Sequence, residues 1–437
     1  MTAGAALKIT IAGGSIGGLC AGIALRGIGA DVEIFERSAG PMETRGAGIV
    51  VQPQLTSLLR EYHAPALPVT SCLVRRYLDP AGGDGRFQHA PQEFTSWEAI
   101  YLTLRAAFPN DRYYMGAAVS DIVPEASRVC ALIEGRDPVT SDVLIAADGA
   151  NSPLRRRFLP AVAARYAGYV AWRGTLDEWI APSRLVSFLD NAFTFCEARS
   201  GGHTLAYFIP GDEAATEPGR RRINWVWYIG AGEPELARYL TDKEGRRHHA
   251  SLVKGSASAA LIGEICDLAE REVHPIFAEL VATTADPFVQ TIVDVIVPQT
   301  VFGRVMLLGD AAFVVRPHTA GATAKAAHDA WALGRNLARA REHRRRAESR
   351  RVASARIRQR ADELWDRPRR SMGEPAATKK SPWRSHMTAS PAMRQSTRYG
   401  NRALPKGYPV SAEPVICRRP CWPSNFGRVG TWRGGGR

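Results

Sequence analysis

Lys8-Ile-Thr-Ile-Ala-Gly-Gly-Ser-Ile-Gly-Gly18, followed by a helical stretch and by Asp31-Val-Glu-Ile-Phe-Glu36, decides the fold. A short apolar strand over 8–13 enters a glycine turn. A helix from Ile16 to about Ile28, with Leu19, Ile23 and Leu25 toward a core, leads to a second strand at Val32–Phe35. This is the βαβ opening of a doubly wound α/β domain. Backbone N–H groups at a helix N-terminus attract a pyrophosphate, and glycines there remove the Cβ that would hold phosphates away. Gly13, Gly14, Gly17 and Gly18 supply that freedom. Ser15 stands where G-x-G-x-x-G has its middle glycine, and it can offer its hydroxyl. Glu36, beside Arg37, follows at about the 20-residue spacing at which a carboxylate accepts ribose hydroxyls.

Two later segments complete a dinucleotide cradle. Asp142-Val-Leu-Ile-Ala-Ala-Asp-Gly149 reads as a strand ending in a turn. Arg304-Val-Met-Leu-Leu-Gly-Asp-Ala-Ala312 is a strand running into a loop and a helix. A carboxylate at Asp310 can accept a ribityl hydroxyl while the following helix turns its first amides to the flavin's pyrimidine carbonyls. Asp148 or Asp310 alone could instead cap a helix. One such segment is weak evidence, and three in this order point to FAD.

The remaining sequence divides around this frame. Trp97 to Phe108 reads as a helix stopped by Pro109. Tyr169–Trp172, Leu185–Leu189, Ala206–Ile209 and Asn224–Ile229 read as strands of a second, mainly antiparallel sheet, with Trp172, Trp225 and Trp227 in its core. Helices are expected within 250–285. The FAD-binding lobe is therefore discontinuous (1–70, 97–160, 295–338), and a substrate lobe is inserted into it (71–96, 161–294). Residues 339–437 form a low-order basic tail. It reads either as a disordered arm or as Arg-, Pro- and Gly-heavy text from a shifted reading frame.

Bulk properties narrow the function classes. The net charge of +14 comes from the tail: residues 339–437 carry 25 Lys and Arg against 7 Asp and Glu, the preceding residues 32 against 36. The body therefore shows no nucleic-acid footprint. No stretch approaches the roughly 20 apolar residues of a membrane span, and no leader pattern opens the chain. The seven cysteines are scattered and odd in number, as in a reducing, cytoplasmic setting. Cys417 and Cys421 have no companions that would make a zinc site, so no metal is expected.

These segments resemble the dinucleotide, DG and GD motifs of class A flavoprotein monooxygenases over about residues 6–338. Arg45-Gly-Ala-Gly-Ile-Val50, Tyr169-Val-Ala-Trp-Arg-Gly174, Asn224-Trp-Val-Trp-Tyr228 and Gly309–His318 resemble the 2,6-dihydroxypyridine 3-monooxygenase branch in particular. The resemblance implies an aromatic hydroxylase that uses NADH or NADPH and O2 on a small phenolic or hydroxypyridine ring, through a flavin C4a-hydroperoxide. It implies that Gly13, Gly14, Ser15, Gly17 and Gly18 lie by the pyrophosphate, with Glu36 and Arg37 at the ribose. Arg45 and Gly48 would run along the cofactor, with Asp148, Gly309 and Asp310 around it and Pro317 near the isoalloxazine edge. His318 is the candidate base or substrate anchor. His203, Tyr166, Tyr228 and Arg173 are weaker pocket candidates, and a homodimer stays open.

Two departures stand out. Ala320-Gly-Ala-Thr-Ala324 replaces a Gly-x-Gly-x-Asn loop, leaving Gly321 alone. Trp97 holds the place of a cofactor-contacting Arg, with Arg105 two turns on as its substitute. Two alternatives are a flavin-binding but inactive protein, its helix face at Trp331, Leu333 and Leu337 left uncovered by an unrelated tail, and a flavin-dependent halogenase.

Overall fold

In the computed structural model, residues 6–40 and 48–365 are described. One compact unit extends to Arg345, and Arg346–Trp365 is the described part of a second, wholly helical there. The first unit is built on the expected βαβ start: strand β1 (Lys8–Ala12), helix α1 (Ile16–Gly27) and strand β2 (Asp31–Phe35). β1 pairs in parallel with β2 on one side and with Val143–Ala146 on the other. Val305–Leu307 continues the parallel sheet beyond Val143–Ala146, and Tyr113–Tyr114 beyond β2. The three motif segments, far apart in sequence, thus end at the same carboxyl edge of one sheet, where open α/β sheets bind ligands. α1 buries Leu19, Cys20, Ile23 and Leu25, as its apolar face requires.

The second sheet has nine strands among the described residues. Its pairings are antiparallel except where Ala192–Glu197 meets Thr70–Leu78. Gly48–Val50, read from sequence as part of the FAD lobe, pairs here with Phe94–Ser96. The segment Leu185–Leu189, expected as a strand, is the helix Ser183–Leu189. Its Leu185 and Leu189 are buried four residues apart, a helical spacing that a short apolar run hides.

The strand Arg222–Gly230 divides its side chains by alternation. Ile223, Trp225 and Trp227 enter a core closed by the helices Ala259–Glu272 and Pro275–Thr283. Val226 and Tyr228 face the opposite way, into a cluster with Ala171, Tyr207 and Tyr169 that also touches Ala320. The tryptophans are therefore sheet core, as expected, and any ring-binding surface lies on the other face.

The helix Ala322–Trp365 runs past the expected boundary near residue 339. Its text is rich in Ala, Arg and Glu and free of Gly and Pro after Gly334, so local propensity carries the helix on. Trp331, Leu333 and Leu337 pack against the core around α1, so the face that the inactive-protein alternative leaves uncovered is covered. The rest of the tail, with Cys417 and Cys421, lies outside the described residues. No described helix is long and apolar enough to cross a membrane.

Candidate active site

The turn after β1 is so tight that the backbone itself requires two of its four glycines, Gly13 and Gly18. Gly13 has φ +101°, and a Cβ there would lie 2.3 Å from the carbonyl oxygen of Ala147. A Cβ on Gly18 would lie 1.9 Å from the Gly13 oxygen. Gly17 differs, because its added Cβ would meet nothing closer than ordinary contact: Leu308 Cδ2 at 3.5 Å, Gly309 Cα at 3.9 Å and Ala326 Cβ at 4.0 Å. Ser15 takes the N-cap position without a capping side-chain bond, and no acid sits in the first turn of α1. Helix amides left uncapped at the sheet's carboxyl edge suit a pyrophosphate.

Glu36 is buried. Its Oε2 accepts the Gly14 N–H at 2.7 Å and its Oε1 the Ser38 N–H at 2.9 Å. The carboxylate thus clamps the end of β2 onto the glycine turn, and each oxygen keeps a lone pair for a hydroxyl. Arg37 is exposed beside it. The Gly14 carbonyl accepts the Tyr113 hydroxyl at 2.8 Å, Tyr113 meets Tyr101 at 3.3 Å, and Trp97 stacks on Tyr101 at 5.4 Å. Arg105 reaches the same place: its guanidinium lies 4.3 Å over the Tyr113 ring and donates to the Phe108 carbonyl. Arg45 lies outside the described residues.

At the DG turn, Asp148 Oδ2 accepts the Leu154 N–H at 3.2 Å, which is the helix-cap role. Its Oδ1 is buried without a partner, and burial pushes the carboxyl above the usual range. Arg155, which sequence reading missed, joins this turn to the GD segment. It is 1% exposed and donates to the carbonyls of Ala150 at 2.6 Å, Val162 at 3.3 Å and Ala311 at 3.1 Å. Arg155→Met should cost about 2–4 kcal/mol, because three carbonyls, that of Ala311 buried, lose a charged donor. Thermal unfolding measures that loss, and FAD titration should weaken in step.

Gly309 takes φ +60° and leaves Asp310 exposed at the end of its strand. Asp310 is crowded by protein yet open to solvent; the crowding raises its carboxyl above the usual range, and the Lys325 ammonium opposes the shift. Lys325, a second residue missed from sequence, donates to the Gly309 carbonyl at 3.3 Å and to Asp329 at 2.5 Å. Ala320 (φ 52°) takes the left-handed turn, and Gly321 precedes the helix Ala322–Trp365, whose first turn again holds no acid. An exposed acid at the strand end, an orphan carboxylate oxygen and two helix starts without acids in their first turns fit a flavin dinucleotide.

His318 follows Pro317 in the loop before the helix Ala322–Trp365. Its Nδ1 lies 3.1 Å from the Tyr169 hydroxyl, and its ring neighbours are Tyr228 at 6.1 Å and His203 at 6.5 Å. Burial lowers the His318 pKa below 6.5, helped by Arg316. Arg316 is held by Asp294 through bonds of 2.7 and 2.5 Å. Burial and His318 bring His203 down to about 4. Tyr166 is engaged elsewhere, donating to the Ala231 carbonyl. Gly48 N–H donates to Asn224 Oδ1 at 2.7 Å, and a Cβ on Gly48 would meet both Asn224 and Tyr207. Asn224 was missed, although the alternation of Asn224-Trp-Val-Trp-Tyr228 already placed it on the Tyr228 face.

Comparison with known proteins bears on this geometry. A family model described as FAD binding domain-like matches residues 166–294. The chain is 34% identical to the 2,6-dihydroxypyridine 3-monooxygenase of Paenarthrobacter nicotinovorans, over 75% of this chain and 81% of that protein. It is 27% identical to the phenazine 1,6-dicarboxylic acid hydroxylase PhzS of Lysobacter antibioticus, over 77% of this chain and 84% of that protein. Among solved structures, 2,6-dihydroxypyridine-3-hydroxylase from Arthrobacter nicotinovorans superposes with a TM-score of 0.71 at 32% identity, over 77% of this chain and 84% of the other.

Proposed function

The chain belongs to the class A FAD-dependent monooxygenases, enzymes that hydroxylate aromatic rings, and from that premise we propose that its substrate is a small hydroxypyridine or phenol activated by His318. The observation that carries this reading is the pairing of His318 with Tyr169 on the cluster face of the second sheet. When bound, FAD takes hydride from NAD(P)H and delivers one oxygen atom from O2 to the ring.

The chain's own residues hold, orient and deprotonate. The glycine turn and the uncapped start of α1 hold the pyrophosphate, Glu36 a ribose, and Asp310 the ribityl chain. With Nδ1–H donating to the Tyr169 oxygen, His318 keeps Nε2 free to take the proton of a ring hydroxyl. The ring then becomes a better nucleophile. The lowered pKa keeps this imidazole neutral near pH 7, so it acts as a base there and loses that role as acid protonates it. Tyr207, Tyr228 and Phe193 keep water from the site.

The test is a panel of rings offered to the FAD-reconstituted chain. Hydroxypyridines and simple phenols should accelerate NAD(P)H oxidation, while rings without a hydroxyl should not. Equal acceleration by benzene-type rings without a hydroxyl would remove the base from the account.

A further inference from the structure

A guanidinium on the face of the second sheet that carries Tyr169 and Tyr228 stands without a hydrogen bond or counter-charge among the described residues. Arg173 lies on the strand Arg165–Asp177, four residues from Tyr169 and therefore on the same face. It pairs across the sheet with Val226, a member of the cluster that holds Tyr207 and Tyr228. Its guanidinium is near enough to both tyrosines to act on their ionisation. Arg173 Nε is buried without a hydrogen-bond partner, and no carboxylate pairs with the guanidinium among the described residues. Arg222 has Asp177 and its neighbour Arg221 has Glu178, while Arg75 and Arg76, which also keep an unpartnered Nε, donate to Gln92 Oε1 and to the Phe188 carbonyl. Arg173 makes no hydrogen bond among the described residues. The hydroxyls of Tyr207 and Tyr228 also make no hydrogen bond among the described residues, although both side chains are buried. A guanidinium and two hydroxyls without partners therefore share the sheet face on which Tyr228 adjoins His318.

Removing a guanidinium from water is costly unless an anion meets it. We propose that Arg173 is the anion-recognition residue of the ring site, with Tyr207 and Tyr228 as accompanying O–H donors, and that the substrate is a ring carrying a carboxylate or a ring oxyanion. This deepens the hydroxylase reading and rests on it for the ring. Arg173 then fixes which ring edge faces His318, because its planar fork takes two oxygens in one orientation.

The FAD-reconstituted full chain is titrated with 4-hydroxybenzoate, with 2,6-dihydroxypyridine as the ring oxyanion, and with the neutral isostere 4-hydroxybenzamide. Binding is read from the flavin absorbance and turnover from NADH oxidation. The wild type should bind one of the two anions about tenfold or more tighter than the amide, and the preferred anion tells carboxylate from oxyanion. Arg173→Met should weaken that anion about thirtyfold, with KM rising more than kcat falls, and leave the amide within about twofold. Arg173→Lys should recover part of the loss, and FAD affinity should be unchanged in both variants. Equal weakening of anion and amide, loss of FAD instead, or a wild type that favours or equally binds the amide would overturn the proposal. A wild type that prefers the anion but is stimulated by no ring would sink the hydroxylase reading while the anion site stands.

Discussion

His318→Gln should lower kcat by about 10²–10⁴-fold with FAD still bound, the range spanned by loss of a positioned general base. The side chain touches Tyr169 through Nδ1 and lies among Tyr228 and His203, so a Gln of similar reach keeps the packing while losing the titration. The pH dependence separates the roles. His318 has its pKa lowered by burial and by Arg316, so the wild-type kcat/KM should stay high at neutral pH and fall only as pH drops below the ordinary imidazole value of 6.5. In the Gln variant that acid limb should vanish and leave a low, flat profile. A variant that retains both its rate and its acid limb would place the base elsewhere.

Gly18→Ala and Gly17→Ala should diverge sharply, although they are neighbours and chemically the same change. The new methyl at Gly18 would sit 1.9 Å from the Gly13 carbonyl oxygen, so the turn must open and the βαβ unit loses about 2–4 kcal/mol or fails to fold. At Gly17 the methyl meets nothing closer than 3.5 Å, so the fold should survive with an unfolding temperature near that of the wild type. That methyl does project toward Gly309 and Ala326, beside the turn proposed to hold the pyrophosphate. FAD affinity should therefore fall about tenfold or more in a protein that remains folded. Tight FAD binding by Gly17→Ala would show that the pyrophosphate passes elsewhere.

Much of the fold was legible because short-range rules and long-range function agree at its start. A strand, a glycine turn and a helix dictate a parallel βαβ unit whatever follows, and Asp148 and Asp310 end strands that the sheet then brings beside it. Leu185–Leu189 was misread because five residues of mixed apolar text carry no decisive period; packing of Leu185 and Leu189 into the second core chose the helix. The ring site was less legible for a physical reason. Its members sit on four strands and a loop, and only the sheet register brings Arg173, Tyr207 and Tyr228 together. Arg155 was hidden among Arg155-Arg-Arg157, where sequence alone does not tell which guanidinium turns inward. Lys325 was overlooked because the loop before it departs from the family pattern. Its contact with the Gly309 carbonyl appears only when the helix is folded back over the GD segment.

The central claim is that this chain transfers oxygen to an ionisable aromatic ring with FAD in the glycine–Asp310 cradle and His318 as base. The most direct measurement is turnover of 2,6-dihydroxypyridine by the FAD-reconstituted chain with NADH or NADPH under isotopically labelled O2, with the product read by mass. The account predicts ring-stimulated oxidation of the nicotinamide and a product heavier by one labelled oxygen, both strongly reduced in His318→Gln. Oxidation that yields only peroxide, with the ring recovered unlabelled, would contradict it for that ring. The same result across hydroxylated rings, by a chain that binds FAD tightly, would contradict the account as a whole.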